Sequence, residues 1–311
     1  MEIKVILARF GLCIMHKQFI EKPFDVMPLQ NHCLPQEGMI ASLPYAVKYH
    51  GRRELDMKIR VLGCHGSQLP NHNTTSFLLG KNILIDAGAI TQVLTLREQL
   101  LVDYILVTHA HLDHVRDIMF LADNLCYAKR KTPLRICSSR GILESIHRHL
   151  FNNVIWPDFS RIPSAKNPLV KFEILSTGRQ KTLGDWRVRA IPVHHTVETM
   201  GFLMESKGKA ALFLGDTGPT DEVWRLAGAT KGLRAIFVET SLPVGMQGLA
   251  DKTGHLTPRT LAAELKKLNG AIPNIYLYHM KPRYAGIIHR EVASIAERKI
   301  HIIKDGQVIH I

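Results

Sequence analysis

Tyr104-Ile105-Leu106-Val107-Thr108-His109-Ala110-His111-Leu112-Asp113-His114 decides how this chain is read. The apolar run Tyr104 to Val107 predicts a short buried strand. Three imidazoles and a carboxylate then crowd into the six residues His109 to His114. Desolvating such a set is costly unless something pairs its members. A metal ion does so, because neutral imidazole and carboxylate suit zinc, manganese or iron. Residues two apart on an extended segment point the same way, so His109 and His111 can share one ion. Asp113 and His114 fall where the chain turns and can reach a second. The plain alternative is a histidine-rich loop with no ligand. A single histidine would favour that alternative; the full pattern at a strand end favours metal.

The pattern His109-Ala110-His111-Leu112-Asp113-His114 resembles the signature of the metallo-β-lactamase superfamily of binuclear metallohydrolases. That resemblance implies an α/β fold, an αββα sandwich of two mixed sheets flanked by helices, with the metals at one edge of the sheets.

At 311 residues the chain can hold one large α/β domain or two small ones. Its net charge of +13 favours an anionic substrate or partner, a phosphodiester or a nucleic acid. A basic solvated surface is the plain reading of the same number. Cys13, Cys33, Cys64, Cys126 and Cys137 form no Cys-x-x-Cys pair. Scattered thiols of this kind suggest a reducing, cytoplasmic compartment. No apolar run reaches the roughly 18 residues of a membrane helix, so no membrane association is expected.

Residues 1–56 differ from the remainder of the chain. Val5 to Met15 is apolar but interrupted by Arg9, and no small-residue cleavage site comes after it. Pro23, Pro28, Pro35 and Pro44 come next in polar scatter without a period. This part reads as a poorly ordered N-terminal extension, or even as translated leader. The hydrolase domain is expected over residues 57–311, opening with a strand from Met57 to Gly63.

Further on, Thr75–Leu79 and Ile83–Ile85 predict a hairpin around Gly80-Lys81-Asn82. It ends at Asp86, a carboxylate placed to order a metal-bound histidine from behind. Helices are predicted over Val93–Leu101, Ile118–Leu125 and Gly141–Leu150, the last with Ile142, Ile146 and Leu150 on one face. Strands are predicted at Leu134–Cys137, Val170–Ile174 and Trp186–Ile191.

More ligand-type residues come after apolar runs. Arg189 to Val193 leads into His194-His195, and the family places one histidine here with a glycine about six residues later. Gly201 fits His195, which is therefore preferred over His194. Ala211 to Leu214 leads through Gly215 to Asp216, whose two oxygens can bridge two cations. The β-lactam-hydrolysing members commonly carry cysteine at that point, so antibiotic hydrolysis is disfavoured. Asn274 to Tyr278 ends at His279. The set implied is His109, His111 and His195 on one ion and Asp113, His114 and His279 on the other, with Asp216 between. Zinc is the expected metal, with manganese or iron as alternatives.

Glu239-Thr240-Ser241, Gly254-His255-Leu256-Thr257-Pro258 and His279-Met280-Lys281-Pro282 resemble the class II cyclic-nucleotide phosphodiesterases over nearly all of residues 57–311. The tRNA 3′-end-processing endonucleases are similar cousins. Asp117 and Ala122-Asp123 depart from the class II pattern, which usually has Gly or Ser three residues after the first motif and Ser at the helix end. The expected activity is hydrolysis of 3′,5′-cyclic AMP or GMP to the 5′-nucleotide by a metal-bridging hydroxide. Asp113 would lie nearest that hydroxide. His255 would act as general acid, held protonated by Glu239. The rivals are a nuclease acting on tRNA ends, a thioesterase and a metal-free binding module. Expected partners are a small anionic phosphodiester first and nucleic acid second; a homodimer is left open.

Overall fold

The computed structural model describes residues 57–311 except 129, 131, 270–272 and 296–298. The extension expected at residues 1–56 lies outside the described residues.

The first stretch builds β1 (Lys58–Gly63), β2 (Ser76–Leu79), β3 (Ile83–Ile85), α1 (Leu96–Gln99), β4 (Tyr104–Leu106), α2 (Leu112–Val115), α3 (Asp117–Cys126), β5 (Leu134–Ser138) and α4 (Arg140–His149). A small ladder of β6 (Pro163–Ser164) and β7 (Asn167–Pro168) precedes β8 (Val170–Ile174). The second stretch builds β9 (Gln180–Leu183), β10 (Trp186–Pro192), β11 (Met200–Ser206), β12 (Lys209–Phe213), α5 (Glu222–Ala229) and β13 (Leu233–Glu239). It continues through α6 (Gln247–Thr253), α7 (Pro258–Leu265), β14 (Asn274–Tyr278), α8 (Ala285–Ala293), β15 (Ile300–Ile302) and β16 (Val308–His310).

Two seven-stranded sheets result, in the orders β16-β1-β2-β3-β4-β5-β8 and β15-β14-β13-β12-β11-β10-β9. Both are mixed. In the first, β1, β2, β3 and β16 pair antiparallel, and β3, β4, β5 and β8 run parallel. In the second, β9 to β12 pair antiparallel, and β12 to β15 run parallel.

Alternation along the strands explains why the sheets stack and the helices lie outside. Phe213, Phe237 and Tyr276 are register partners on β12, β13 and β14. Their rings stack with centroids 4.3 and 5.0 Å apart. Phe77 of β2 meets Phe213 and Phe237 at 5.4 Å and Tyr278 at 5.3 Å, closing the space between the sheets. The intervening residues Leu212, Ile236, Val238, Ile275 and Leu277 face the other way, onto Trp224 of α5, Leu261 of α7 and Ile288 of α8. On the first sheet Ile118 and Leu121 of α3 and Ile142 and Ile146 of α4 fill the same role. The layers are therefore helices, sheet, sheet, helices.

The helix predicted over Val93–Leu101 is shorter than expected. Thr95 caps Leu96–Gln99 in a reciprocal capping box with Glu98, so the apolar residues before it lie in a turn. Asp113 and His114, expected where the chain turns, lie on the single-turn α2, with His111 at its N-cap position. Among the described residues no helix is long and apolar enough to cross a membrane.

Candidate metal centre

The parallel strands β3 and β4 of one sheet and β12, β13 and β14 of the other deliver their carboxyl ends to one edge of the sandwich. Each apolar strand buries its length, and its last polar residue emerges there on a rigid frame. Asp86, His109, Asp216, Glu239 and His279 are all buried at these ends.

Two groups form around Asp216. In the first, His109 Nε2 lies 3.0 Å from His111 Nδ1 and 3.8 Å from Asp216 Oδ2. The His195 ring sits 5.1 Å from the His109 ring and 5.2 Å from the His111 ring. In the second, His114 Nε2 lies 3.2 Å from His279 Nε2 and 3.5 Å from Asp216 Oδ1. His279 Nε2 is 3.3 Å from Asp113 Oδ2 and 3.3 Å from Asp216 Oδ2. Ligand-type atoms of His109, His111 and His195 lie within 4.8 Å of one another, as do those of Asp113, His114 and His279.

Proton bookkeeping tests whether these atoms fit cations. Thr108 Oγ1 donates to Asp86 Oδ2 at 2.8 Å and so accepts from His109 Nδ1–H at 3.1 Å. His114 Nδ1–H donates to Asp86 Oδ2 at 2.8 Å. Ser241 Oγ donates to Glu239 Oε2 at 2.7 Å and so accepts from His279 Nδ1–H at 2.9 Å. His195 Nδ1–H donates to the Gly254 carbonyl at 2.9 Å. Each outer nitrogen is thus spoken for, which leaves the Nε2 lone pairs of all four rings free to face the same space. His195 Nε2 and Asp216 Oδ1 are buried with no hydrogen-bond partner. Lone pairs and carboxylates so close together repel one another unless positive charge lies between them. The donor set fits divalent cations.

The titration behaviour has the same cause. Burial pushes His109, His111 and His195 below the usual histidine range, toward the neutral form that binds metal. Burial opposes a charge on His114 too, but Asp216 and Asp86 outweigh it and raise the ring well above that range. Asp216 resists burial because His279 and His114 hold its carboxyl far below the usual carboxylate range. Positive charge is demanded at this spot, from a proton or from an ion.

Backbone strain collects here as well. Asp86 and His279 are non-glycine residues in the left-handed region, with φ of 57° and 63°. The Asp86 carboxylate is pinned by Thr108 N–H, Thr108 Oγ1 and His114. His279 N–H donates to Cys64 O at 2.7 Å. Gly254 has φ of 64°, and a Cβ there would stand 3.0 Å from His195 Cα. Only glycine lets its carbonyl reach His195.

His255 sits beside the cluster. Its Nδ1 meets Glu239 Oε1 at 2.8 Å, and its ring lies 5.0 Å from that of His195. Burial works against a charge on His255, but Glu239 prevails and its proton is held above the usual range. Thr257 caps α7 and Pro258 opens it, fixing the backbone just after His255. A ligand-type atom of His255 also lies within 4.8 Å of those of His195 and Asp216, so metal coordination is within its reach too.

Of the paired histidines, His195 joins the cluster, whereas the exposed His194 turns away, its N–H donating to Thr217 Oγ1 at 3.3 Å. Asp117 does not enter the site; its carboxylate accepts from Ile90 N–H at 2.6 Å and Thr91 N–H at 2.9 Å, bracing a neighbouring loop. The anchoring roles of Thr108, Ser241 and Gly254 escape a reading of the sequence, because a hydroxyl or a carbonyl used from behind leaves no spacing pattern. A cavity of about 170 Å³ opens beside His111, between Ile142 and Ser145 of α4 and Val197 and Glu198.

A family model for the beta-lactamase superfamily domain matches residues 81–280. The chain is similar to a probable 3′,5′-cyclic-nucleotide phosphodiesterase of Yersinia pestis, at 28% identity over 52% of this chain and 50% of that protein. The chain thus spans about half the length of that relative. It is also similar to ribonuclease Z of Methanothermobacter thermautotrophicus, at 26% identity over 80% of this chain and 94% of that protein. The fold of unliganded yeast PDE1 superposes with a TM-score of 0.71 at 19% identity, covering 83% of this chain and 100% of that one.

Proposed function

The chain belongs to the β-lactamase superfamily and is a metallo-β-lactamase-fold hydrolase, and we propose that it is a binuclear phosphodiesterase acting on 3′,5′-cyclic AMP or GMP. The observation that carries this reading is the buried Glu239–His255 pair, 2.8 Å apart, beside a lone-pair-rich cluster that fits two cations. Divalent ions, most simply zinc, bound by His109, His111, His195, Asp216, Asp113, His114 and His279 would activate water and neutralise phosphoryl charge.

The remaining chemistry belongs to the chain's own groups. Asp113 is partly exposed, and its carboxylate is held well below the usual range: the facing His279 and His114 rings, when they carry protons, outweigh burial. It stays ionised and orients the attacking water. His255 gives its proton to the leaving O3′ alkoxide of the ribose. Glu239 orients the ring through Nδ1 and favours its charged form. Leu256 N–H at 3.2 Å and Ser241 Oγ at 2.7 Å fix that carboxylate in turn. Only a two-residue turn, Lys207-Gly208, joins β11 to β12 between His195 and Asp216. A compact connection of this kind suits a small substrate better than a gripped RNA.

A nuclease acting on RNA ends is the second reading. It is favoured by the match along 94% of a ribonuclease Z and by the net charge of +13. A hydrolysis panel of cyclic AMP, cyclic GMP, bis(p-nitrophenyl) phosphate, pre-tRNA and S-lactoylglutathione separates the readings. Turnover of a cyclic nucleotide is expected. Cleavage of pre-tRNA with both cyclic nucleotides untouched at millimolar concentration would replace this reading with the nuclease, and thioester turnover alone with a thioesterase.

A further inference from the structure

We propose that Cys64, His65 and Asp305 form a separate site for a thiophilic divalent cation, of the zinc, cobalt or cadmium kind. The three residues come from distant parts of the chain, the turn after β1 and the loop between β15 and β16. Cys64 Sγ lies 3.2 Å from Asp305 Oδ1 and 3.7 Å from His65 Nδ1. His65 Nδ1 lies 3.5 Å from Asp305 Oδ1. Zinc bonds of about 2.0–2.3 Å at tetrahedral angles put neighbouring ligand atoms about 3.3–3.7 Å apart. All three spacings are close to that range, so the atoms already lie near three corners of one tetrahedron.

The surroundings fit a ligand set rather than a chance encounter of side chains. Asp305 is fixed by two backbone donors, Cys64 N–H at 3.0 Å and Asn73 N–H at 2.8 Å. A carboxylate so held keeps lone pairs to spare. Cys64 is buried, while the side chains of His65 and Asp305 are 19% and 20% exposed. That leaves an entry path and room for a solvent ligand at the fourth corner. The single S–H proton is shared between Asp305 Oδ1 at 3.2 Å and the Ile303 carbonyl at 3.5 Å. Binding breaks the S–H bond, forms a sulfur–metal bond and releases the proton to water. A buried thiol beside a carboxylate gives up its proton reluctantly. Magnesium or calcium cannot drive that exchange, whereas ions with strong thiolate affinity can.

The position links this site to the main one. Cys64 O accepts from His279 N–H at 2.7 Å, and His65 pairs with Met280 in a parallel bridge. An ion at Cys64 would stiffen the backbone that holds His279 in its left-handed conformation.

Cobalt(II) titration tests the site independently of the phosphodiesterase reading. The main centre offers only nitrogen and oxygen, so it gives no thiolate-to-cobalt charge-transfer band. Wild-type protein with its main centre first loaded with zinc is expected to develop this near-ultraviolet band, saturating at one further cobalt per chain. Asp216→Asn should keep the band, and Cys64→Ser should abolish it. Asp305→Asn should weaken cobalt binding by roughly 10-fold or more while the Cys64 thiol remains. Absence of the band in the wild-type protein, or its survival in Cys64→Ser, would overturn the proposal.

Discussion

The two halves of the candidate centre are built from the same residue types but anchored differently. His109 and His195 lean on neutral groups, the Thr108 hydroxyl and the Gly254 carbonyl. His114 and His279 lean on buried carboxylates, Asp86 directly and Glu239 through Ser241. Carboxylate anchors raise the basicity of the facing nitrogen more than neutral ones do. The first half is therefore set to keep its ion to lower pH, and the second to bind tightly but in competition with protons. Asp216 belongs to both halves and is where the distinction should vanish.

Asp216→Asn is accordingly expected to have the largest effect. Metal content should fall well below two per chain, and hydrolysis should lose more than it does in His255→Ala or Ser241→Ala. Elemental analysis of protein prepared without chelator checks this; loss of one ion with the other fully retained would confine Asp216 to a single half.

His255→Ala leaves both halves intact if His255 only donates a proton. A fall in kcat of roughly 10²–10⁴-fold on cyclic nucleotides is expected, with metal content unchanged. The loss should shrink on bis(p-nitrophenyl) phosphate, whose leaving group needs no proton. Equal losses on both substrates would exclude the acid role, and loss of metal would make His255 a ligand.

Ser241→Ala cuts the carboxylate relay behind His279 and also removes one of the donors that fix Glu239. A loss of about 10–100-fold in affinity is expected for the second-half ion, with the first-half ion unaffected. Chelator competition followed by stoichiometry reads this out, and equal weakening of both ions would mean that the halves are not separately anchored.

Acidification should separate the halves more gently. In the metal-free fold His114 is raised above the usual histidine range, so protons compete for its site as pH falls through that raised value. Affinity there should drop about tenfold per pH unit. His109, His111 and His195 are lowered, so protons compete with the first-half ion only at more acidic pH. The second-half ion should leave first on dialysis at stepwise lower pH; earlier loss of the other would reverse the assignment.

Much of this arrangement can be read in the sequence because strands buried on both faces appear as short apolar runs. Tyr104 to Val107, Ala211 to Leu214 and Asn274 to Tyr278 each end in a residue that apolar surroundings cannot accommodate alone. The resemblance to known metallohydrolases groups those residues into two sets, and the fold brings the same groups together. Edge strands are harder to foresee. Val308–His310 pairs with Lys58–Arg60 at the other end of the described chain, and three residues carry too little pattern to reveal it. The anchors Thr108 and Ser241 are hidden for a different reason. Each acts through one hydroxyl proton whose direction depends on neighbours brought in by the fold.

That the two halves together hold a pair of cations around Asp216 is tested most directly by anomalous diffraction at the metal absorption edge. The expected result is two peaks about 3.5–4 Å apart. One would lie among His109, His111 and His195, the other among Asp113, His114 and His279, with an Asp216 oxygen facing each. Crystals grown with zinc that show no peak in this cluster, or a single ion bound outside it, would contradict the paired-cation centre.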